Sequence, residues 1–142
     1  TVQVEIVNMI ENAANHIKQF HPGLSGKIML LATTATAKMK LYEKAFEQAG
    51  LRLLAPSEEE QSIVEKVIHD IKAGHAENNA YLGDLKQLML ANSQQGIEAY
   101  IGGCTEIPLI FPFVEGFYQK FDPTELLAKY AVTRAMTEKK KI

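Results

Sequence analysis

Apolar residues recur along this chain with two different periods, and segments of the two kinds alternate. Residues 27–33 form a nearly unbroken apolar run, which is typical of a strand that helices cover on both faces. The next segment repeats its apolar residues at Leu41, Tyr42, Ala45 and Phe46, as one face of a helix does. The same alternation predicts strands at 2–7, 27–33, 51–55 and 97–101, and helices at 9–20, from about 36 to 49, 57–74, 76–95 and 123–142.

Capping residues mark where several of these helices begin and end. Ser57 is followed three residues later by Glu60, which is the spacing of a reciprocal capping box. A second strong helix start is predicted at Asp122, Pro123 and Glu125. Asp122 would be the N-cap, Pro123 would occupy the first helical position, and the Glu125 side chain would bond back to the backbone N–H of the cap. The predicted helix stops are the glycines Gly50, Gly74 and Gly96.

Strands separated by helices of this length predict βαβ units and a mostly parallel sheet. The predicted fold class is therefore α/β, a three-layer lobe with a mostly parallel sheet flanked by helices. No internal repeat and no linker divides the sequence, so we expect residues 1–142 to form a single α/β lobe.

Composition narrows the functional classes. The chain has 142 residues, 46% of them hydrophobic and 23% charged, with a net charge of −2, so no basic field is available to bind nucleic acid or an acidic membrane. No apolar run approaches the ~20 residues that span a bilayer. The single cysteine favours a reducing compartment, and we expect the cytoplasm. The chain starts at Thr1 without Met, and we expect a processed or truncated piece of something longer.

Cys104 is the first candidate for chemistry. It follows Gly102 and Gly103 where a predicted strand ends, the edge at which open α/β sheets bind ligands. The two glycines would let the backbone turn sharply and approach a small ligand. A helix N-terminus after Cys104 would lower the thiol pKa toward neutrality, as proton abstraction requires. The alternative is a small buried side chain without chemistry.

A second candidate is the hydroxyl cluster of Thr33, Thr34 and Thr36 at the end of the other buried strand. Hydroxyls beside free backbone N–H groups form a plausible cradle for a carboxylate or phosphate, although simple helix capping explains the same residues. The four histidines and Cys104 show no metal-ligand spacing, so no metal site is expected.

Five segments, in order, together resemble the aspartate/glutamate racemase superfamily. Gly103-Cys104-Thr105-Glu106 is similar to its second active-site cysteine motif, and Thr-Glu after the cysteine points to the aspartate racemase branch. The other four are 30–36 with Tyr42 in the following helix, the acidic-Gln segment 56–61, the Lys-Ala-Gly turn within 71–74, and the helix start at 121–128. The matches cover roughly residues 6 to 135.

The resemblance implies a cofactor-independent amino-acid racemase with two α/β lobes and the substrate between them. A cysteine from each lobe would face one side of Cα, and Cys104 would be the acid/base of the second lobe. Thr105 would help to fix the substrate α-carboxylate, and Glu106 would also bind the substrate. Thr34 and Thr36 would line the same cleft. Lys72 matches a lysine that anchors a substrate carboxylate in some members, although a lysine favoured by the helix dipole explains it equally well. The substrate would be aspartate or glutamate.

The departures from the pattern leave other functions open. The first lobe with its own cysteine should precede Thr1, so this chain alone should racemise nothing efficiently. The C-terminal helix 123–142 would pack on that lobe, and we expect a homo-oligomer such as a dimer, or association with an N-terminal lobe, to cover its apolar face. The alternatives are a one-cysteine diacid isomerase or decarboxylase and a non-catalytic lobe that binds a small carboxylate.

Overall fold

A four-stranded parallel sheet lies at the centre of the computed structural model, which describes residues 3–116 and 118–141. The strands are β1 (Ile28–Leu31), β2 (Leu53–Leu54), β3 (Ala99–Gly102) and β4 (Gln119–Phe121), in the spatial order β2-β1-β3-β4. The helices are α1 (Met9–Phe20), α2 (Thr34–Met39), α3 (Leu41–Gln48), α4 (Glu58–Lys72), α5 (Leu82–Gln94), α6 (Ile107–Ile110) and α7 (Pro123–Lys139). The predicted α/β class and parallel sheet are confirmed.

Helices cover both faces of the sheet, so the core has two halves. On one face, α1 and α3 pack against β1 and β3 around buried residues such as Ile17, Phe46 and Ile101. On the other face, α4, α5 and α6 pack around Val67, Leu85 and other buried apolar residues. Every residue of β1 and β3 is buried, which explains why these two strands are nearly continuous apolar runs in the sequence.

Several predicted boundaries are confirmed in detail. Ser57 and Glu60 form the reciprocal capping box of α4. Gly50, Gly74 and Gly96 follow helices with φ between 78° and 104°, a left-handed conformation that favours glycine.

Other predictions about single elements are wrong. Residues 3–7 form no strand, and Val2 lies outside the described residues. The helix expected from about residue 36 begins at Thr34 and is divided into α2 and α3 at Lys40, where φ is 56°. Helix α5 begins at Leu82 rather than residue 76. Its expected first turn is instead a loop held by the Asp70 carboxylate, which accepts hydrogen bonds from the backbone N–H of Ala80 at 2.6 Å and from the His75 ring at 2.8 Å.

The C-terminal part of the lobe differs from the prediction in two further respects. Strand β4 was not predicted, because its three residues are too few to show a periodicity. Asp122 caps α7 as expected and accepts from the backbone N–H of Thr124 at 2.9 Å, but Glu125 does not reciprocate. Instead Glu125 pairs with Lys129 one turn later, at 2.6 Å.

Helix α7 packs beside α1, and Leu126 contacts the half of the core that lies between the sheet and helices α1 and α3. Leu127 and Tyr130 are half-buried, whereas Val132 and Met136 are exposed. None of the helices in the described ranges has the length and apolar character of a membrane span.

Replacement of Tyr100 by phenylalanine is expected to lower the free energy of unfolding by about 0.5–1.5 kcal/mol. The fully buried Tyr100 hydroxyl donates to the Met89 carbonyl at 2.6 Å, so the substitution removes one buried hydrogen bond. Urea unfolding measures the change, with Tyr81→Phe as a control at a half-buried ring. Equal midpoints for the two variants would contradict this assignment.

Candidate active site

The two segments singled out by the sequence lie side by side at the carboxyl edge of the sheet. Strands β1 and β3 pair in parallel with Leu31 opposite Gly102, so their chains leave the sheet at the same level. The backbone N–H of Gly103 donates to the Leu31 carbonyl at 2.8 Å, which extends this pairing by one residue. Cys104 therefore follows β3 directly beside the loop that joins β1 to α2.

Close packing explains both glycines before Cys104. A Cβ at Gly103 would lie 2.6 Å from Cδ1 of Leu30 and 2.9 Å from Cβ of Ala32, and a Cβ at Gly102 would lie 3.0 Å from the Pro108 ring. Neither glycine has a positive φ, so the expected sharp turn is not what requires them. The absence of a side chain at Gly103 lets the cysteine loop press against β1, and its absence at Gly102 lets α6 pack against the end of β3.

Cys104 is half-buried and packs against the core on the α4 and α5 side. Burial raises the pKa of its thiol, and the hydrogen bond and negative charge of Glu106 raise it further. Backbone N–H groups of Ile107 and Glu106 act in the opposite direction, but they do not outweigh burial. The predicted lowering of the thiol pKa is therefore wrong in this structure, since a four-residue helix that begins three residues after Cys104 is too weak to offset desolvation.

Glu106 interacts with three of the predicted site residues, which are Cys104, Thr105 and Lys72. Burial opposes ionisation of its carboxyl, but hydrogen bonds from its own backbone N–H, from Thr105 and from Cys104, together with the charge of Lys72, lower its pKa overall. Thr105 is exposed, and Lys72 is the exposed last residue of α4. Glu106 is therefore ionised, and its carboxylate accepts a hydrogen bond from the protonated Cys104 thiol. The positive charge of Lys72 stabilises this carboxylate.

The threonine loop is organised mainly by its own hydrogen bonds. The Thr33 hydroxyl caps α2 by accepting from the Thr36 backbone N–H at 3.2 Å, and it donates to the Thr36 hydroxyl at 3.0 Å. Thr34 donates both its backbone N–H and its hydroxyl to Oε2 of Glu65, at 2.8 and 3.0 Å. The donors expected to cradle a ligand carboxylate at Thr34 are already satisfied.

Sequence reasoning missed Glu65 and the position of Gln61. Both lie on α4, and the Gln61 amide donates to the Ala32 carbonyl at 2.8 Å. Their contacts span about 30 residues of sequence, so no local spacing could have indicated them. The only signal was that two polar side chains lie on the same side of a helix, four residues apart.

Tyr42 lies beneath the cysteine loop. Its ring is buried, and a Cβ at Gly103 would contact it at 3.3 Å. Burial raises the pKa of Tyr42 to about 12, with further contributions from Cys104 and Asp122. Tyr42 is therefore a neutral, rigid support for this loop.

Among the clefts formed by residues 3–116 and 118–141, two have linings that do not include Cys104. One, of about 740 Å³, lies between α2 and α4 and is lined in part by Thr34, Lys38, Gln61 and Glu65. The other, of about 580 Å³, lies between α1, α7 and the segment before α1. In the described residues, no group of three or more His, Cys, Asp or Glu side chains is arranged to hold a metal ion.

Replacing Glu106 by glutamine should lower the Cys104 pKa and speed thiol alkylation at pH 7. The change removes a negative charge and the carboxylate that accepts the thiol hydrogen, both of which favour the protonated form. In the unsubstituted protein, alkylation by iodoacetamide should be slow at neutral pH and should accelerate as pH rises above the usual thiol range. The pH profile of alkylation measures both, with Glu98→Gln, remote at the opposite end of β3, as the control; an unshifted profile would contradict the role of Glu106.

Comparison with known proteins identifies relatives of this lobe. The sequence profile of the family described as Asp/Glu/hydantoin racemase matches residues 1–131. The uncharacterized protein in the pnlA 3′ region of Pectobacterium carotovorum subsp. carotovorum is 31% identical over 109 residues, which are 76% of this chain and 69% of that protein.

Solved structures show the same fold. The structure of an aspartate racemase homologue from Pyrococcus horikoshii OT3 superposes with a TM-score of 0.76 and 27% identity, over 95% of this chain and 58% of that one. Picrophilus torridus aspartate racemase gives a TM-score of 0.65 at 23% identity, over 95% of this chain and 55% of that one. This chain therefore spans somewhat more than half the length of these two structures.

Proposed function

Because this chain belongs to the Asp/Glu/hydantoin racemase family, we propose that it is the part of an amino-acid racemase that supplies one of two cysteine acid/base groups. The group is Cys104, and the reaction moves the α-proton of the substrate without a cofactor. The observation that carries the proposal is the position of the thiol at the carboxyl edge of the sheet, between two backbone N–H groups and the Glu106 carboxylate.

These neighbours give Cys104 the two states that proton transfer requires. Burial and Glu106 hold the proton on sulfur, so the resting group is a thiol that can deliver a proton to Cα. The N–H groups of Glu106 and Ile107 point at the sulfur and stabilise the thiolate that remains. The same thiolate can then remove a proton from the opposite enantiomer.

A racemase needs a second acid/base group on the other side of Cα, because one group reaches only one face of a tetrahedral carbon. Cys104 is the only cysteine of this chain. The partner group therefore comes from another lobe of the protein or from a second copy, and an N-terminal lobe or a homo-oligomer would also cover α7.

The substrate proposed is aspartate or glutamate. Thr105 is exposed beside Cys104, and because its hydroxyl donates to Glu106, its backbone N–H is the group proposed to donate to the α-carboxylate, while Lys72 supplies a positive charge at the same edge. Thr34 and Thr36 line the loop opposite. The Thr36 hydroxyl keeps its hydrogen available, since it accepts from Thr33.

A second candidate function is favoured by the count of one cysteine. A one-cysteine relative that isomerises or decarboxylates small diacids would use Cys104 alone to protonate a carbanion. The same resting thiol would serve this reaction.

The test is α-proton exchange of both enantiomers of aspartate and glutamate in D2O, followed by NMR with the longest natural form of the protein. Exchange without release of CO2 from malonate supports the racemase. Release of CO2 from malonate without exchange at Cα would contradict it and support the second candidate.

A further inference from the structure

The loop that follows α4 folds back onto the helix and closes on Asp70. The Asp70 carboxylate accepts hydrogen bonds from the backbone N–H of Ala80 at 2.6 Å and from the His75 ring at 2.8 Å. The amide nitrogen of the buried Asn79 donates to the carbonyls of Val67 and His75, each at 3.1 Å. Two side chains therefore hold the loop against the last turns of α4. This arrangement is the Asp70 clasp.

The backbone at the same place forms a tight helix end. Gly74 has a φ of 96°, and its N–H donates to the Ile71 carbonyl at 2.9 Å. The N–H of His75 donates to the Asp70 carbonyl at 3.0 Å. These two bonds complete a Schellman motif, which satisfies the last carbonyls of a helix. Because a helix frays from its end when its cap is lost, Lys72, the last helical residue, would be the first to move.

The position of the Lys72 ammonium depends on this helix end. Lys72 is exposed and forms no ion pair within residues 3–116 and 118–141, so its placement follows from the backbone that carries it. Helix α4 packs against α6, which begins directly after Glu106, and Ile71 and Ile107 belong to the same half of the core. The end of α4 therefore lies beside the carboxylate that accepts the Cys104 thiol hydrogen, and the Lys72 charge lowers the pKa of that carboxyl.

We propose that Asp70 is a positioning residue, which through the clasp keeps the Lys72 ammonium at the carboxyl edge of the sheet, beside Glu106. The consequence for substrate rests on the proposed function, in which Lys72 supplies the positive charge for a substrate carboxylate. The placement of Lys72 beside Glu106 does not depend on any reaction. Asp70 itself takes part in no step of the proton transfer.

The first test is the titration of the Glu106 carboxyl, followed by carbon NMR in the longest natural form of the protein. Asp70→Ala should raise the pKa of Glu106, as Lys72→Met does, because both changes take the cation away from the carboxylate. Loss of the Asp70 charge by itself would have the opposite sign, since removing an anion lowers the pKa of a nearby carboxyl. The double variant should match Lys72→Met alone, because the clasp acts through Lys72.

Two further variants serve as controls. Asp70→Asn removes the same charge, but its amide oxygen can accept from Ala80 and its amide nitrogen can donate to a neutral His75 ring. It should therefore leave the Glu106 titration near that of the unsubstituted protein. Asp84→Ala, at an exposed position in the first turn of α5, is the matched control for the loss of one carboxylate.

Hydrogen exchange at the Ala80 amide reports whether the clasp is open. Exchange should be faster in Asp70→Ala and unchanged in the two controls. An unchanged or lowered Glu106 pKa in a variant with an open clasp would overturn the proposal, and so would a further rise in the double variant. His75→Ala, at an exposed ring, opens the clasp from the other side and provides the same test if Asp70→Ala does not fold.

Kinetics separate this inference from the proposed function. In α-proton exchange, Lys72→Met should raise the KM of aspartate or glutamate at least about tenfold with little change in kcat, the effect of one lost charged contact. Asp70→Ala should raise the same KM, and Asp70→Asn should restore it. A loss confined to kcat would contradict the positioning role. If no form of the protein catalyses exchange, the proposed function fails, whereas the Glu106 titration still decides whether the clasp places Lys72.

Discussion

Cys104→Ala should strongly slow racemisation in both directions but should slow α-proton exchange for only one enantiomer. The thiol reaches one face of Cα, so its loss removes abstraction from that face and proton delivery to it. The enantiomer whose hydrogen faces the other acid/base group can still lose and regain its proton there. We expect the affected enantiomer to exchange about 10²–10⁴-fold more slowly, the usual contribution of one general acid/base group.

The measurement is the exchange rate of each enantiomer of aspartate and glutamate in D2O, in the longest natural form and the variant. Cys104→Ser is the companion variant, because a hydroxyl keeps the packing and polarity but has no accessible anionic state near neutral pH. The serine variant should therefore match the alanine variant in exchange. Equal loss for both enantiomers would mean that Cys104 supports the site structurally, and no loss would remove it from the reaction.

Gly103→Ala should cost about 1–3 kcal/mol of unfolding free energy, toward the upper end for so close a contact, and Gly103→Val more. The new Cβ would lie 2.6 Å from Leu30 and 2.9 Å from Ala32, and both neighbours belong to the buried β1 segment. Tyr42 closes the third side and is only 2% exposed, so it cannot move aside. The strand or the cysteine loop must shift, which should also disturb the thiol.

Urea midpoints at an unchanged m-value measure this cost. Gly83→Ala is the matched control, since Gly83 lies within α5 and no atom approaches its Cβ position within 4 Å. Alanine there should stabilise the protein by up to about 1 kcal/mol, because it is the better helix former. If Gly103→Ala unfolds at the same urea concentration as the unsubstituted protein, the close packing of Gly103 against Leu30 and Ala32 is wrong.

Local patterns predicted the layered architecture because its signals are short-range. Strands β1 and β3 are buried on both faces, so nearly every residue must be apolar, and that requirement is visible in sequence. The Ser57 capping box and the glycine stops also act within a few residues. The position of Cys104 at a strand end followed from the same reasoning.

Predictions failed where distant contacts outweigh local preference. Residues 76–81 continue a helical pattern, but the Asp70 carboxylate binds the His75 ring and the Ala80 N–H and holds them in a loop. Strand β4 exists because β3 provides a partner for it, and its three residues carry no period of their own. The thiol pKa depends on how deeply Cys104 is buried, which no local motif records.

The sequence by itself determined the α/β class, most helix ends and the candidate thiol, because apolar periodicity and capping are properties of neighbouring residues. The tertiary structure alone decided which groups surround that thiol and how they bias its protonation. It also decided that Glu65 takes both donors of Thr34, and that Gly103 must lack a side chain. These outcomes depend on residues far apart in the chain that the parallel sheet and its covering helices bring within hydrogen-bond or van der Waals distance.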